Sequence, residues 1–106
     1  MHIIIFVTAG NKREAQKVAS GLIRRKLAAC VNIVDKVDSI FSWKGKVQKS
    51  KESLLIIKST RLRFPQIAKA VKSLHSYDVP EIIAIPVIAG YKPYLRWIDE
   101  SVRQPI

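Results

Sequence analysis

Apolar and polar positions along this 106-residue chain follow two periods, about two and about 3.6, and switch between them at glycines and prolines. Ile3-Ile4-Ile5-Phe6-Val7-Thr8 is a β-branched run that reads as a strand, broken at Ala9-Gly10. Asn11 with Glu14 three residues on forms a capping pair, and a helix follows in which Ala15, Val18, Ala19, Leu22, Ile23 and Leu27 share a stripe while Lys12, Arg13, Lys17, Arg24, Arg25 and Lys26 fall elsewhere. Ala28 to Val34 reads as a second strand, with Cys30 expected as a small buried hydrophobe. From Asp35 to Ser53 the alternation predicts a hairpin turning at Gly45, and Leu54 to Lys58 a strand apolar on both faces, ending at Ser59-Thr60. Ile67, Ala70, Val71 and Leu74 mark a second helix that begins near Phe64 or Pro65 after a lead-in turn, Arg61 to Arg63. Pro80 forces Val79 into extended backbone, so this helix stops before it and the chain enters a strand over Glu81 to Ile88. Tyr91, Tyr94, Leu95, Ile98 and Val102 predict a short amphipathic helix from about Pro93, with Gln104-Pro105-Ile106 as a tail.

This order predicts a single α+β domain over residues 1–106, a ferredoxin-like βαββαβ sandwich with an extended hairpin and a C-terminal helix. Such a plan sets both main helices on one face of the sheet, yet three strands are apolar on both faces. Six large side chains left on the bare face would forgo about 9–18 kcal/mol of burial, against a total stability of about 5–15 kcal/mol for a small domain. A subunit interface is the expected cover, because neither the last helix nor the hairpin is large enough.

Charge changes the picture next. Nineteen Lys and Arg against eight Asp and Glu give a net charge of +11. A solvated basic surface is the expected meaning; a nucleic-acid-binding ferredoxin-like domain, gripping phosphates through Lys12, Arg13, Lys17, Arg24 and Arg25, is the alternative. The RNA-recognition version of the fold stacks bases on central-strand aromatics, and Leu54 to Lys58 has none. No Cys-x-x-Cys supports a metallochaperone, no glycine-rich loop a phosphate cradle, and no nucleophile, base and orienting group assemble into catalysis, so no enzyme is expected. The apolar runs are shorter than a membrane span, and neither a basic lead nor a small-residue cleavage pattern accompanies the first one. With a lone cysteine, a cytoplasmic location and no membrane partner are expected.

Chemically capable residues crowd between the second helix and the strand after it: His75, Tyr77, Asp78 and Glu81 could line a polar pocket, walled by Trp43, with Lys58 at a strand end. The competing reading gives Tyr77 and Asp78 to the turn, Glu81 to a surface lysine and Trp43 to packing. One imidazole with nearby carboxylates supplies too few ligands for a tight copper or zinc site, so no cofactor is required and a divalent cation is expected only as a weak guest at His75.

The motifs Leu27-Ala28-Ala29-Cys30-Val31-Asn32, Trp43-Lys44-Gly45-Lys46, Lys58-Ser59-Thr60, His75 to Glu81 and Tyr94-Leu95-Arg96-Trp97 resemble the CutA divalent-cation-tolerance family over nearly the whole chain. The resemblance implies a ferredoxin-like homotrimer similar in plan to the PII signalling proteins, hairpins that pair between subunits, no attributed reaction, a part in tolerance of divalent cations, copper especially, and ligand sites in the clefts between subunits. It also implies, for copper-binding members, a thiol and a His-His pair whose matching positions here are Val7, Leu74 and His75, so only His75 survives. Ser76 stands for a usual proline, and Ser42-Trp43-Lys44 for an aromatic pair and a glutamate, which removes a carboxylate from the hairpin.

Overall fold

In the computed structural model, which describes residues 1–103, the first apolar run forms β1, His2–Ala9, with alternate side chains buried. Asn11 Oδ1 accepts the Glu14 amide at 2.8 Å, so α1, Lys12–Arg24, starts at the expected cap. The reciprocal half of the pair differs, because Glu14 Oε2 accepts from the Gly10 amide at 3.2 Å rather than from Asn11. α1 closes with the Leu27 amide on the Leu22 carbonyl and the Lys26 amide on the Ile23 carbonyl, a paired C-terminal cap that places Lys26 at φ 55.

Two long strands follow, β2 at Cys30–Trp43 and β3 at Lys46–Thr60. Lys44 and Gly45 join them with φ of 51° and 76°, the two-residue turn whose twist suits a hairpin. What the alternation predicts as a short strand, a hairpin and a further strand is therefore one continuous pair. The cause is a bulge: Val34 pairs with Leu54 and Val37 with Glu52, so Asp35 and Lys36 together oppose Ser53. The extra residue shifts the alternation by one and disguises the continuity. Ser53 Oγ donates to Asp35 Oδ1 at 2.9 Å, and this bond, followed by the Lys36 amide, holds the Asp35 carboxyl below its ordinary value.

A 3₁₀ turn over Arg61–Arg63 leads into α2, Phe64–Leu74, with Pro65 in its first turn. β4 is Ile82–Pro86, shorter at both ends than the expected Glu81 to Ile88, and α3 is Lys92–Ser101. The expected tail, Gln104 to Ile106, lies outside the described residues. The four strands are ordered β2-β3-β1-β4 and every neighbouring pair is antiparallel, which is the ferredoxin-like arrangement.

Ile3, Ile5, Val7, Leu55 and Ile57 point to the helical face and are buried against Ala15, Val18, Leu22, Ile67 and Val71. The two helices approach closely at Gly21, where an added Cβ would lie 2.8 Å from a Leu74 methyl. The register sends Ile4, Phe6, Leu54, Ile56, Ile83 and Ile85 to the other face. α3 covers one end of that face: Ile98 and Val102 are buried, Asp99 Oδ1 lies 2.8 Å from His2 Nε2, and Arg63 Nε donates to the Val102 carbonyl at 3.0 Å. The β4 edge of that face stays open, with Ile83 56% and Ile85 46% exposed, and Ile4, Phe6, Leu54 and Ile56 beside it are only partly covered.

Two leucines separate the covered from the open regions of the chain. Leu55→Ala, at a fully buried position, is expected to cost about 2–5 kcal/mol, whereas Leu62→Ala, in the exposed 3₁₀ turn, should stay within about 0.5 kcal/mol. Urea unfolding of both variants beside the parent at one protein concentration checks the contrast.

Candidate functional site

His75 ends α2 in extended backbone, and its side chain is fully buried. Its Nε2 lies 2.6 Å from the Thr8 carbonyl, which can only accept, so Nε2 carries the proton; Nδ1 accepts from the Tyr77 amide at 3.1 Å. The ring packs edge-on to that of Tyr77, with centroids 4.6 Å apart. Glu14 Oε1 accepts from the Ser76 amide and lies 3.7 Å from His75 Nδ1. Burial acts to raise the Glu14 carboxyl, but the Ser76 and Gly10 hydrogen bonds outweigh it, and the carboxyl is held below its ordinary value. Lys72 Nζ closes the turn from outside by donating to the Tyr77 and Asp78 carbonyls.

This fastening aims Tyr77 across the open end of the sheet, where its hydroxyl donates to Glu52 Oε2 at 3.0 Å. Burial, then the hydrogen bond and charge of Glu52, then the charge of Glu14, push the Tyr77 hydroxyl up to about 12. Partial desolvation and the Glu52 charge likewise raise the Glu81 carboxyl. Around them lies a cleft of about 880 Å³ lined by Glu52, Tyr77, Asp78 and Glu81, with Phe41 and Trp43 from the hairpin forming its aromatic wall. The bulge makes this possible, since it turns Val37, Ser39, Phe41 and Trp43 to the same face as Glu52.

Four of the expected site residues, Trp43, Tyr77, Asp78 and Glu81, thus line one cleft. His75 stands behind it as a fastener. Lys58 lies elsewhere: it is six residues along β3 from Glu52, about 20 Å, and its Nζ donates to Asn32 Oδ1. Cys30 is half-buried on the open face beside Asn32 rather than in the core, because alternation gives the inner positions to Val31 and Ile33. Glu52 was not among the expected residues, although it shares strand parity with Leu54 and Ile56. A carboxylate in step with an apolar face is the signal that could have found it.

The residues do not fit a metal centre within one chain. Both ring nitrogens of His75, the expected centre of any metal site, already hold backbone partners. Among the described residues no three His, Cys, Asp or Glu side chains cluster as ligands, and no helix there is long and apolar enough to cross a membrane.

A family model described as CutA1 divalent ion tolerance protein matches residues 3–101. This chain belongs to that family. The protein named divalent-cation tolerance protein CutA from Thermus thermophilus is 41% identical over 101 residues, covering 95% of this chain and 98% of that protein. Protein CutA, chloroplastic, of Arabidopsis thaliana is 43% identical over 95% of this chain, which spans only 56% of that relative's length. The solved structure of the periplasmic divalent cation tolerance protein CutA from Archaeoglobus fulgidus is similar at a TM-score of 0.95 and 43% identity, with 97% of this chain and 100% of that chain covered.

The CutA fold here rests on the Glu14 fastening, and pH tests it. A carboxyl held below its unfolded value, near 4.5, contributes stability that is present above that value and lost as pH falls through the folded one. Urea unfolding should therefore show Glu14→Gln less stable than the parent at pH 7, with the gap narrowing steadily below about pH 4.5. A gap that stays constant with pH would leave the charge of Glu14 without this part.

Proposed function

We propose that this chain acts in divalent cation tolerance, copper included, as a non-catalytic homotrimer, with the cleft at Tyr77, Asp78, Glu81, Glu52 and Trp43 completed by a neighbouring subunit and occupied by a small polar ligand or partner. The open sheet face carries the proposal. Ile83 and Ile85 are each about half exposed on the edge strand β4, sharing a face with Ile4, Phe6, Leu54 and Ile56 of the inner strands, and burial of such side chains contributes about 1.5–3 kcal/mol each. The exposed Phe41 and Trp43 on the hairpin continue the same face, so a second copy that covers the sheet also closes over the cleft. Absence of catalysis is supported by the state of the capable groups: His75 has both nitrogens engaged, and the Tyr77 hydroxyl, raised to about 12, does not serve as a base near neutrality. A cytoplasmic location rests on the lone cysteine alone.

Light scattering at micromolar concentration should give three times the 12.0 kDa chain mass, and Ile83→Asp, which sets a charge on the open face, should lower it; a monomeric parent would sink the trimer. Metal is the second test. Calorimetric titration with copper and zinc is expected to show only weak uptake, unchanged in stoichiometry by Tyr77→Phe, while a submicromolar site lost in His75→Ala would reverse the assignment of His75 as a fastener.

A further inference from the structure

Charge in this chain is sorted by layer. Of its eight carboxylates, seven lie on the hairpin, the sheet, the α2–β4 junction or α3; the eighth, Glu14, is turned inward onto the Gly10 and Ser76 amides. The helical layer therefore shows solvent almost only cations. α1 carries exposed Lys12, Arg13, Lys17 and Arg24, and α2 adds Lys69 and Lys72.

Some of these cations the fold explains. Arg24 stands at the C-terminal end of α1, where the helix dipole favours a cation, and Lys72 caps the junction carbonyls. Lys12 lies near enough to Asp35 to lower its carboxyl. The rest are not explained in this way. Arg13 sits in the first turn of α1, where the dipole works against it, and Lys17 and Lys69 stand exposed on the layer. Arg13 and Lys17 line a groove of about 680 Å³ with Ser73 near the end of α2 and Ser76 just beyond it; Glu14 lines it too, its carboxylate engaged by the Gly10 and Ser76 amides.

We propose that this helical layer is a docking surface for the phosphate backbone of a nucleic-acid duplex. Arg13 to Arg24 is eleven residue steps along α1, about 16 Å at the helical rise, or roughly five base pairs of duplex. Clustered cations along such a length release counterions from the phosphates and need no base contact. A lipid surface is the poorer match. Interfacial helices hold to lipid through an outward apolar face, and the apolar face of α1 is buried against the sheet, with Ile23 the one exposed large hydrophobe on the helix. The surface lies on the opposite side of the sheet from the face the trimer would cover, so this proposal stands whether or not the trimer does.

Fluorescence anisotropy with labelled 20-base-pair DNA and RNA duplexes, measured between 50 and 200 mM salt, decides it. The parent should bind with a log K against log salt slope of about −3 to −4, from three or four phosphate contacts at about 0.9 each. Arg13→Ala, Lys17→Ala and Lys69→Ala combined should flatten the slope by two to three units. Lys49→Ala, Lys92→Ala and Arg96→Ala remove the same charge from the hairpin and α3 and should leave the slope nearly unchanged. Both triple variants must keep the parent's mass and thermal midpoint, which exposed positions allow. Equal losses in the two sets, no duplex binding at 50 mM salt, or binding only to anionic phosphatidylserine vesicles would each overturn the proposal; a difference between DNA and RNA would say which duplex is preferred.

Discussion

A buried imidazole and a partly buried carboxylate hold the end of this sheet together. β4 pairs with β1 only as far as Val7 and Ile82, so the Thr8 carbonyl lies beyond the last rung and needs a donor. His75 supplies it from the end of α2, and the same ring takes the Tyr77 amide, which fixes the first residues of the turn. Glu14 does the corresponding work from α1, holding Gly10 before its own helix and Ser76 after the other. The end of β1, the start of α1 and the end of α2 are thereby locked at one point, and among the described residues no buried side-chain nitrogen or oxygen lacks a partner. Without that lock Tyr77 would have no fixed direction, and the carboxylate of Glu52 would sit buried without its donor.

The second constraint is the two-sided sheet. Helices packed on one face leave the other to α3, which reaches only the His2 end, and so the apolar side chains toward the β4 edge are exposed beside the cleft. The bulge at Asp35-Lys36 connects the two features. By adding one residue to β2 it turns the aromatic side chains of the outer hairpin to the same side as Glu52. The cleft wall and the open apolar face are thus one continuous surface, and its polar and apolar parts are set by strand parity rather than by loops.

Most of the helices and strands were legible because their apolar spacing is regular and their ends carry chemistry: Asn11 caps α1, Pro65 opens α2, and the Val79-Pro80 step closes the junction. The long hairpin was legible only in pieces. A phase slip of one residue looks like a break to a period-two reading, and only the register shows that Val37 continues the face of Val34. The site was half legible. Tyr77, Asp78, Glu81 and Trp43 could be named from crowding and residue type, but Lys58 sits far along β3, and Glu52 emerges only once the strand parity is known. The burial of His75 was hidden for another reason: nothing local marks a histidine whose partner is a carbonyl 67 positions away.

Family resemblance and packing meet at the positions where the copper-binding pattern is missing. Val7 points to the helical face and is fully buried, and Leu74 lays a methyl over Gly21 where α1 and α2 touch. An imidazole at either place would face the inner layer, where a polar group without a partner costs free energy, and a thiol there would be buried as a small hydrophobe, away from the cleft. Valine and leucine need no partner and fill the space. His75 is tolerated between them because two backbone groups satisfy it, and this is the property that makes it a poor ligand: a metal ion would have to take a nitrogen from Thr8 or Tyr77 and so loosen the junction that orients the cleft. In this member of the family the chemistry that remains accessible is on the other side of Tyr77, where Glu52 and Glu81 share a partly desolvated space and the raised Glu81 carboxyl records their mutual repulsion as well as its own loss of water.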